Sequence, residues 1–150
     1  MNVDAFVPAN DGVSFGVVVR DEEGQILMLA TLRTSHRRDC DMEKVAADRF
    51  GLEIARRYGY TNVALESDSL NVIRLVRNGH QGAAPIFHFF SDIKRLCLSF
   101  VNFECSHVRR AGNTLAHLVA RRDTGPSSEL ICMNSFPQSF QTLVDLDLMI

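Results

Sequence analysis

The sequence predicts an α/β fold with a five-stranded mixed sheet, three antiparallel strands followed by two parallel ones. Three observations carry this. Val13–Arg20 (VSFGVVVR) and residues 25–34 (QILMLATLRT) are β-rich and flank the turn Asp21-Glu22-Glu23-Gly24, the pattern of an antiparallel hairpin. The apolar run into Glu66-Ser67-Asp68-Ser69 lies between two helical segments, and such strand–helix alternation implies a parallel crossover. Residues 101–108 (VNFECSHV) alternate in polarity, as a half-buried strand does. The order is βββ-α-β-α-α-β-α.

Taken in order, residues 2–6 read as a first strand carrying Asp4, and residues 8–12 as a turn. The hairpin follows, then a polar and basic loop over 35–41. Residues 42–58 read as a helix, because Glu43, Ala47, Phe50 and Ile54 recur at i, i+4, i+7 and i+11 and share one face. Glu43 thus heads an otherwise apolar stripe. Gly59 stops this helix. After the strand 63–68, Ser69 is placed to cap a helix to about Arg77, ended by Asn78-Gly79. Residues 80–85 read as a loop, and Pro85 as the start of a helix to about Ser99. Residues 109–112 form a turn, and Asn113 is the expected cap of a helix over 114–122. Gly125-Pro126-Ser127-Ser128 breaks the chain. The expected division is a domain over 1–123 and a tail over 124–150, with an acidic amphipathic helix within 137–148.

The chain has 150 residues, 46% of them hydrophobic and 23% charged, a composition that supports one core and excludes a disordered chain. The net charge of −2 is not the basic balance usual in nucleic-acid binders. Arginines nonetheless come in pairs at 37–38, 56–57, 109–110 and 121–122, and arginine forks suit phosphate; any one pair reads equally as a solvated surface. Cys40, Cys97, Cys105 and Cys132 form no CxxC and no zinc spacing, so reduced thiols are expected. With no long apolar run or signal segment, the expected location is cytosol or nucleus, without membrane partners, as a monomer.

Asp68 ends a buried strand, where open α/β sheets bind ligands. Asp4 on the first strand and Glu43 at the head of the first helix are further acids at comparable places. Carboxylates at close quarters repel unless they hold cations or protons. Hard divalent ions take oxygen ligands, and two such ions about 3.5–4 Å apart clamp the attacking and leaving oxygens of a phosphodiester. Taken singly, each acid reads equally well as a helix-start acid, a cap or a strand-end residue.

Five pieces in order resemble a known family: Asn2-Val3-Asp4-Ala5, GVVVRDEEG (16–24), Glu43 with GLEIARRYG (51–59), ESDS (66–69) and HVRRAGNTLAHLVA (107–120). Together they resemble the ribonuclease H-like fold, and more narrowly the plant domains related to the ribonuclease H part of non-LTR retrotransposon reverse transcriptases. The proline and acidic helix of the tail fit too. The resemblance implies a nuclease that cuts the RNA strand of RNA–DNA hybrids with two Mg²⁺ (or Mn²⁺) ions. Carried across, Asp4 would bridge both ions, and Glu43 and Asp68 would each help hold one. The fourth acid falls at His117, a poorer Mg²⁺ ligand that suits Mn²⁺ better. The resemblance also suggests that His107 assists product release or orients water, and that Arg110 and Asn113 belong to a turn that meets nucleic acid. His107 reads equally as a half-exposed strand residue.

The sequence departs from the family pattern in three further ways. Ala5 stands where glycine usually follows the first aspartate. Only three residues precede Asp4, fewer than is usual, which raises the expectation of a fragment. No basic protruding segment lies between the second and third helices.

The sequence is compatible with three functions: a metal-dependent hybrid endonuclease, weakened at His117; a nucleic-acid-binding module using Arg37, Arg38, Arg109 and Arg110 on hybrid or RNA; and a protein-interaction or relic domain derived from a retrotransposon.

Overall fold

The computed structural model describes residues 1–9, 12–79, 84–124 and 128–148. Most of the loop expected at 80–85 and most of the break at 125–128 lie outside them. The elements are β1 (Asn2–Phe6), β2 (Val13–Arg20), β3 (Ile26–Thr34), α1 (Cys40–Arg57), β4 (Asn62–Ser67), α2 (Leu70–Asn78), α3 (Ile86–Leu98), β5 (Asn102–His107), a 3₁₀ turn (Arg110–Asn113), α4 (Thr114–Ala120), β6 (Glu129–Met133) and α5 (Gln138–Leu148).

The sheet has six strands in the order β5-β4-β1-β2-β3-β6. β1, β2 and β3 pair antiparallel, and β4 joins β1 and β5 in parallel, as the sequence predicts. The sixth strand corrects the expected five. β6 comes from the segment read as a tail and pairs antiparallel with β3, from Met28↔Met133 to Leu32↔Glu129. Its five residues are too short to show periodicity, and their pairing depends on β3, which precedes them by about a hundred residues.

Local chemistry sets the ends of the helices. Asp39 caps α1 by accepting from the Met42 N–H at 2.9 Å, and Ser69 caps α2 by accepting from Val72. Gly59 closes α1 with φ +79°, a left-handed conformation that costs glycine little. Asn113, expected to cap α4, does not: its side chain makes no capping bond.

α1 lies across one face of the sheet. Phe50 meets Phe15 of β2 with ring centroids 6.2 Å apart, and a Cβ on Gly51 would stand 2.6 Å from a Val3 methyl of β1. The larger core gathers here and extends to Phe89, Phe90 and Ile93 of α3. The opposite face carries a smaller core of Val18, Leu29, Leu115, Ala116, Val119, Cys132 and Phe140, so α4 and α5 form a layer on this face of the sheet, over β2, β3 and β6. All four cysteines are free thiols. Among the described residues no helix is long and apolar enough to cross a membrane.

Candidate active-site edge

The parallel pairing of β1 and β4 builds the site. Asn2 is opposite Glu66, and from there the two chains run on to Asp4 in β1 and to Asp68, the residue after β4. Neighbouring strands are about 4.8 Å apart, so two acids meet at one sheet edge. Both are sheltered, with side chains 10% and 15% exposed. Burial raises the Asp4 carboxyl; the hydrogen bond from His117 opposes the rise, and the Asp68 charge adds to it. The Asp68 charge therefore reaches Asp4.

His117 arrives from the opposite face. Its Nδ1 is hydrogen-bonded to Asp4 Oδ2 at 2.7 Å. Three features hold α4 in place for this. Asn113, fully buried, donates its Nδ2–H to the Val3 carbonyl at 2.9 Å. Thr31 donates its hydroxyl to the Val119 carbonyl at 3.0 Å. Gly16, the partner of Asp4 on β2, has no side chain to keep the helix away: a Cβ there would lie 2.3 Å from the Ala120 nitrogen and 2.5 Å from the Ala116 oxygen.

Glu43 does not join Asp4 and Asp68. It is completely buried and accepts the Arg38 backbone N–H, while the Arg38 guanidinium lies 3.7 Å from its other oxygen. That guanidinium also sits 5.0 Å from the Phe89 ring centre. Glu43 thus fastens the loop before α1. The side chain that α1 presents to Asp68 is Lys44, with Nζ 3.6 Å from Oδ2. One turn further, Asp48 is fully enclosed and accepts the Ser67 hydroxyl at 2.8 Å. The Ser67 oxygen in turn accepts the Ser69 N–H at 3.1 Å. Burial drives the Asp48 carboxyl up to about 8; the Ser67 bond opposes this, Asp68 and Asp4 add to it, and Lys44 offsets part of it.

Lys44 and Asp48 were missed from sequence. The available signal was a second stripe on the same helix, Lys44, Asp48, Gly51 and Ala55, at i, i+4, i+7 and i+11. Its small residues mark a close approach to the sheet.

The remaining predicted residues divide. His107 and Arg110 are exposed near this edge, as is Arg109, and β5 is held beside it by the Val108 N–H donating to the Ser67 carbonyl. Asn113 is internal, its amide spent on Val3. Arg37 is exposed, whereas Arg38 is engaged with Glu43.

A sequence model described as "Reverse transcriptase-like" matches residues 2–123. The chain belongs to this family. Its fold is the ribonuclease H-like one, as solved structures of the type show. RNase H1 from the halophilic archaeon Halobacterium salinarum superposes with a TM-score of 0.71 at 21% identity, covering 79% of this chain and 91% of that one. The N-terminal RNase H domain of a Mycobacterium tuberculosis protein gives 0.68 at 21% identity, covering 79% and 86%. LC11-RNase H1, solved in complex with an RNA/DNA hybrid, gives 0.67 at 20% identity, covering 79% and 90%. No curated protein matches the sequence.

The two-ion ligand set implied by the family resemblance does not fit these residues. Among the described residues no three His, Cys, Asp or Glu side chains come together closely enough to hold a metal ion. Glu43 is turned to Arg38, one nitrogen of His117 is spent on Asp4, and Lys44 adds positive charge where an ion would need negative charge.

Proposed function

We propose that this domain binds nucleic acid of the RNA–DNA hybrid class along the edge that holds Asp4 and Asp68, and that it does not hydrolyse it by the two-ion route. Family membership and the ribonuclease H-like fold support the substrate class, as does the hybrid bound in the LC11-RNase H1 structure. The exposed Arg109 and Arg110, in the turn after β5, are the cations beside this edge suited to backbone phosphates. The observation that carries the non-catalytic half is the position of Glu43. The only acid of α1 that the resemblance assigned to the site is sealed against Arg38, and pulling a fully buried, paired carboxylate away strands its partner's charge.

The test is fluorescence anisotropy of a labelled hybrid in EDTA across a salt series. Binding is expected without metal and should weaken steeply as salt rises, since phosphate contacts release counterions. The double variant Arg109→Ala with Arg110→Ala should lower both the affinity and the salt slope. No binding at low ionic strength would sink the reading. Cleavage of the hybrid's RNA strand in Mg²⁺, abolished by Asp4→Asn, would overturn its non-catalytic half.

One observation favours a second reading, residual metal-dependent hydrolysis: Asp4 and Asp68 remain close enough for the Asp68 charge to reach Asp4. It predicts slow RNA-strand cleavage in Mn²⁺ that Asp68→Asn removes.

A further inference from the structure

We propose that Lys44 is the resident cation of this site, a tethered ammonium in the place of a divalent ion, and that removing it uncovers a metal site on Asp4 and Asp68. The inference rests on the reading that this edge is the working site, but not on whether hybrid binds there.

The placement of Lys44 follows from α1. Lys44 and Asp48 are one turn apart and so share a face, and Asp48 fixes that face toward β4 through Ser67. Lys44 is therefore directed at the end of β4, where its Nζ reaches 3.6 Å from Asp68 Oδ2. The Lys44 charge also bears on Asp48, one turn along α1, and the Asp68 charge bears on Asp4. His117 is hydrogen-bonded to Asp4 from the other side. One oxygen of Asp68 and one of Asp4 are thus already engaged by side chains of the chain itself.

An exposed lysine–carboxylate pair is ordinarily a weak contact. This one differs in its surroundings. Asp68 is mostly sheltered, so solvent and salt screen the pair less than they would on an open surface. The charge of Lys44 reaches even the enclosed Asp48. A tethered cation also loses no translational freedom on binding, whereas a free divalent ion must shed water to enter.

The test is a calorimetric titration with Mn²⁺ alone, repeated by electron paramagnetic resonance of free Mn²⁺, on the intact chain. Four forms are compared: the unaltered chain, Lys44→Ala, Lys44→Glu, and Lys44→Ala combined with Asp68→Asn. Lys44 is substantially exposed, so its replacement is compatible with folding, which circular dichroism checks. Lys44→Ala is expected to take up one ion with affinity about tenfold or more above the unaltered chain, as an opposing charge is removed at contact distance. Lys44→Glu, which adds an oxygen donor, should bind more tightly still. The double variant should lose the gain. Equal uptake by the unaltered chain and Lys44→Ala would overturn the proposal, as would no uptake by either Lys44 variant. Hybrid affinity in EDTA, measured in parallel, reports on the nucleic-acid reading alone, so the two fail separately.

Discussion

Asp48 is completely enclosed, and its carboxyl is pushed up to about 8 from an ordinary 3.8 by burial, reinforced by Asp68 and Asp4. Between those values the folded chain binds a proton that the unfolded chain has released. The sign then follows from linkage: stability is greatest below the unfolded value and falls as pH rises toward 8. The slope this group contributes is at most about 1.4 kcal/mol per pH unit. The burial of Asp4 acts in the same direction. Asp48→Asn keeps an oxygen for the Ser67 hydroxyl and removes the titration. Urea denaturation at pH 5 and pH 7.5 should show the unaltered chain losing stability over that interval and Asp48→Asn losing much less. An equal loss in both would show that Asp48 titrates normally.

At the scale of elements, the site depends on how closely two helices approach the sheet from opposite faces. α4 lies directly on Gly16, so Gly16→Ala forces the helix outward or the strand to bend. Overpacking of this kind costs about 1–3 kcal/mol, and here it also draws His117 off Asp4. A lowered melting temperature together with a changed imidazole resonance of His117 is the expected result; an unchanged resonance would mean that α4 does not position that ring. The other helix shows what the sequence could reveal. Hairpin turn, parallel crossover, Ser69 cap and Gly59 stop were all legible, because each depends on a few adjacent residues. α1 was legible as a helix but not in its rotation. It is buried on two adjoining stripes. One carries Glu43 and Phe50, with Phe50 resting on β2. The other carries Lys44, Asp48 and Gly51 over β1 and β4. Apolar periodicity favoured the first stripe, whereas the acids sit under the second. Only the register of β1 with β4, a contact between residues some sixty apart in sequence, shows which stripe meets the site.

Over the whole molecule, the segment after residue 124 is part of what holds the site together. β6 covers the edge of β3, and Phe140 of α5 is buried with Leu115, Ala116 and Val119 of α4. The Arg122 guanidinium stacks 3.5 Å from the centre of the Phe140 ring, so the same side chain closes the layer and occupies a cation that follows α4. The path from α5 to the acids is short: Phe140 supports α4, and α4 carries His117 to Asp4. Removing a buried phenylalanine costs about 3–5 kcal/mol. Phe140→Ala should therefore lower the denaturation midpoint by a corresponding amount. It should also speed amide hydrogen exchange in α4 more than in α1, which packs on the other face within a separate core. Equal acceleration in both helices would mean that the two layers unfold as one unit and that α5 gives α4 no support of its own. A chain ending at residue 123, where the family match stops, loses β6 and α5, which strips α4 of its Phe140 support and leaves β3 as an open edge. It is expected to be less stable than the Phe140 variant and, because open edges pair with other chains, to self-associate as its concentration is raised, which sedimentation velocity would detect.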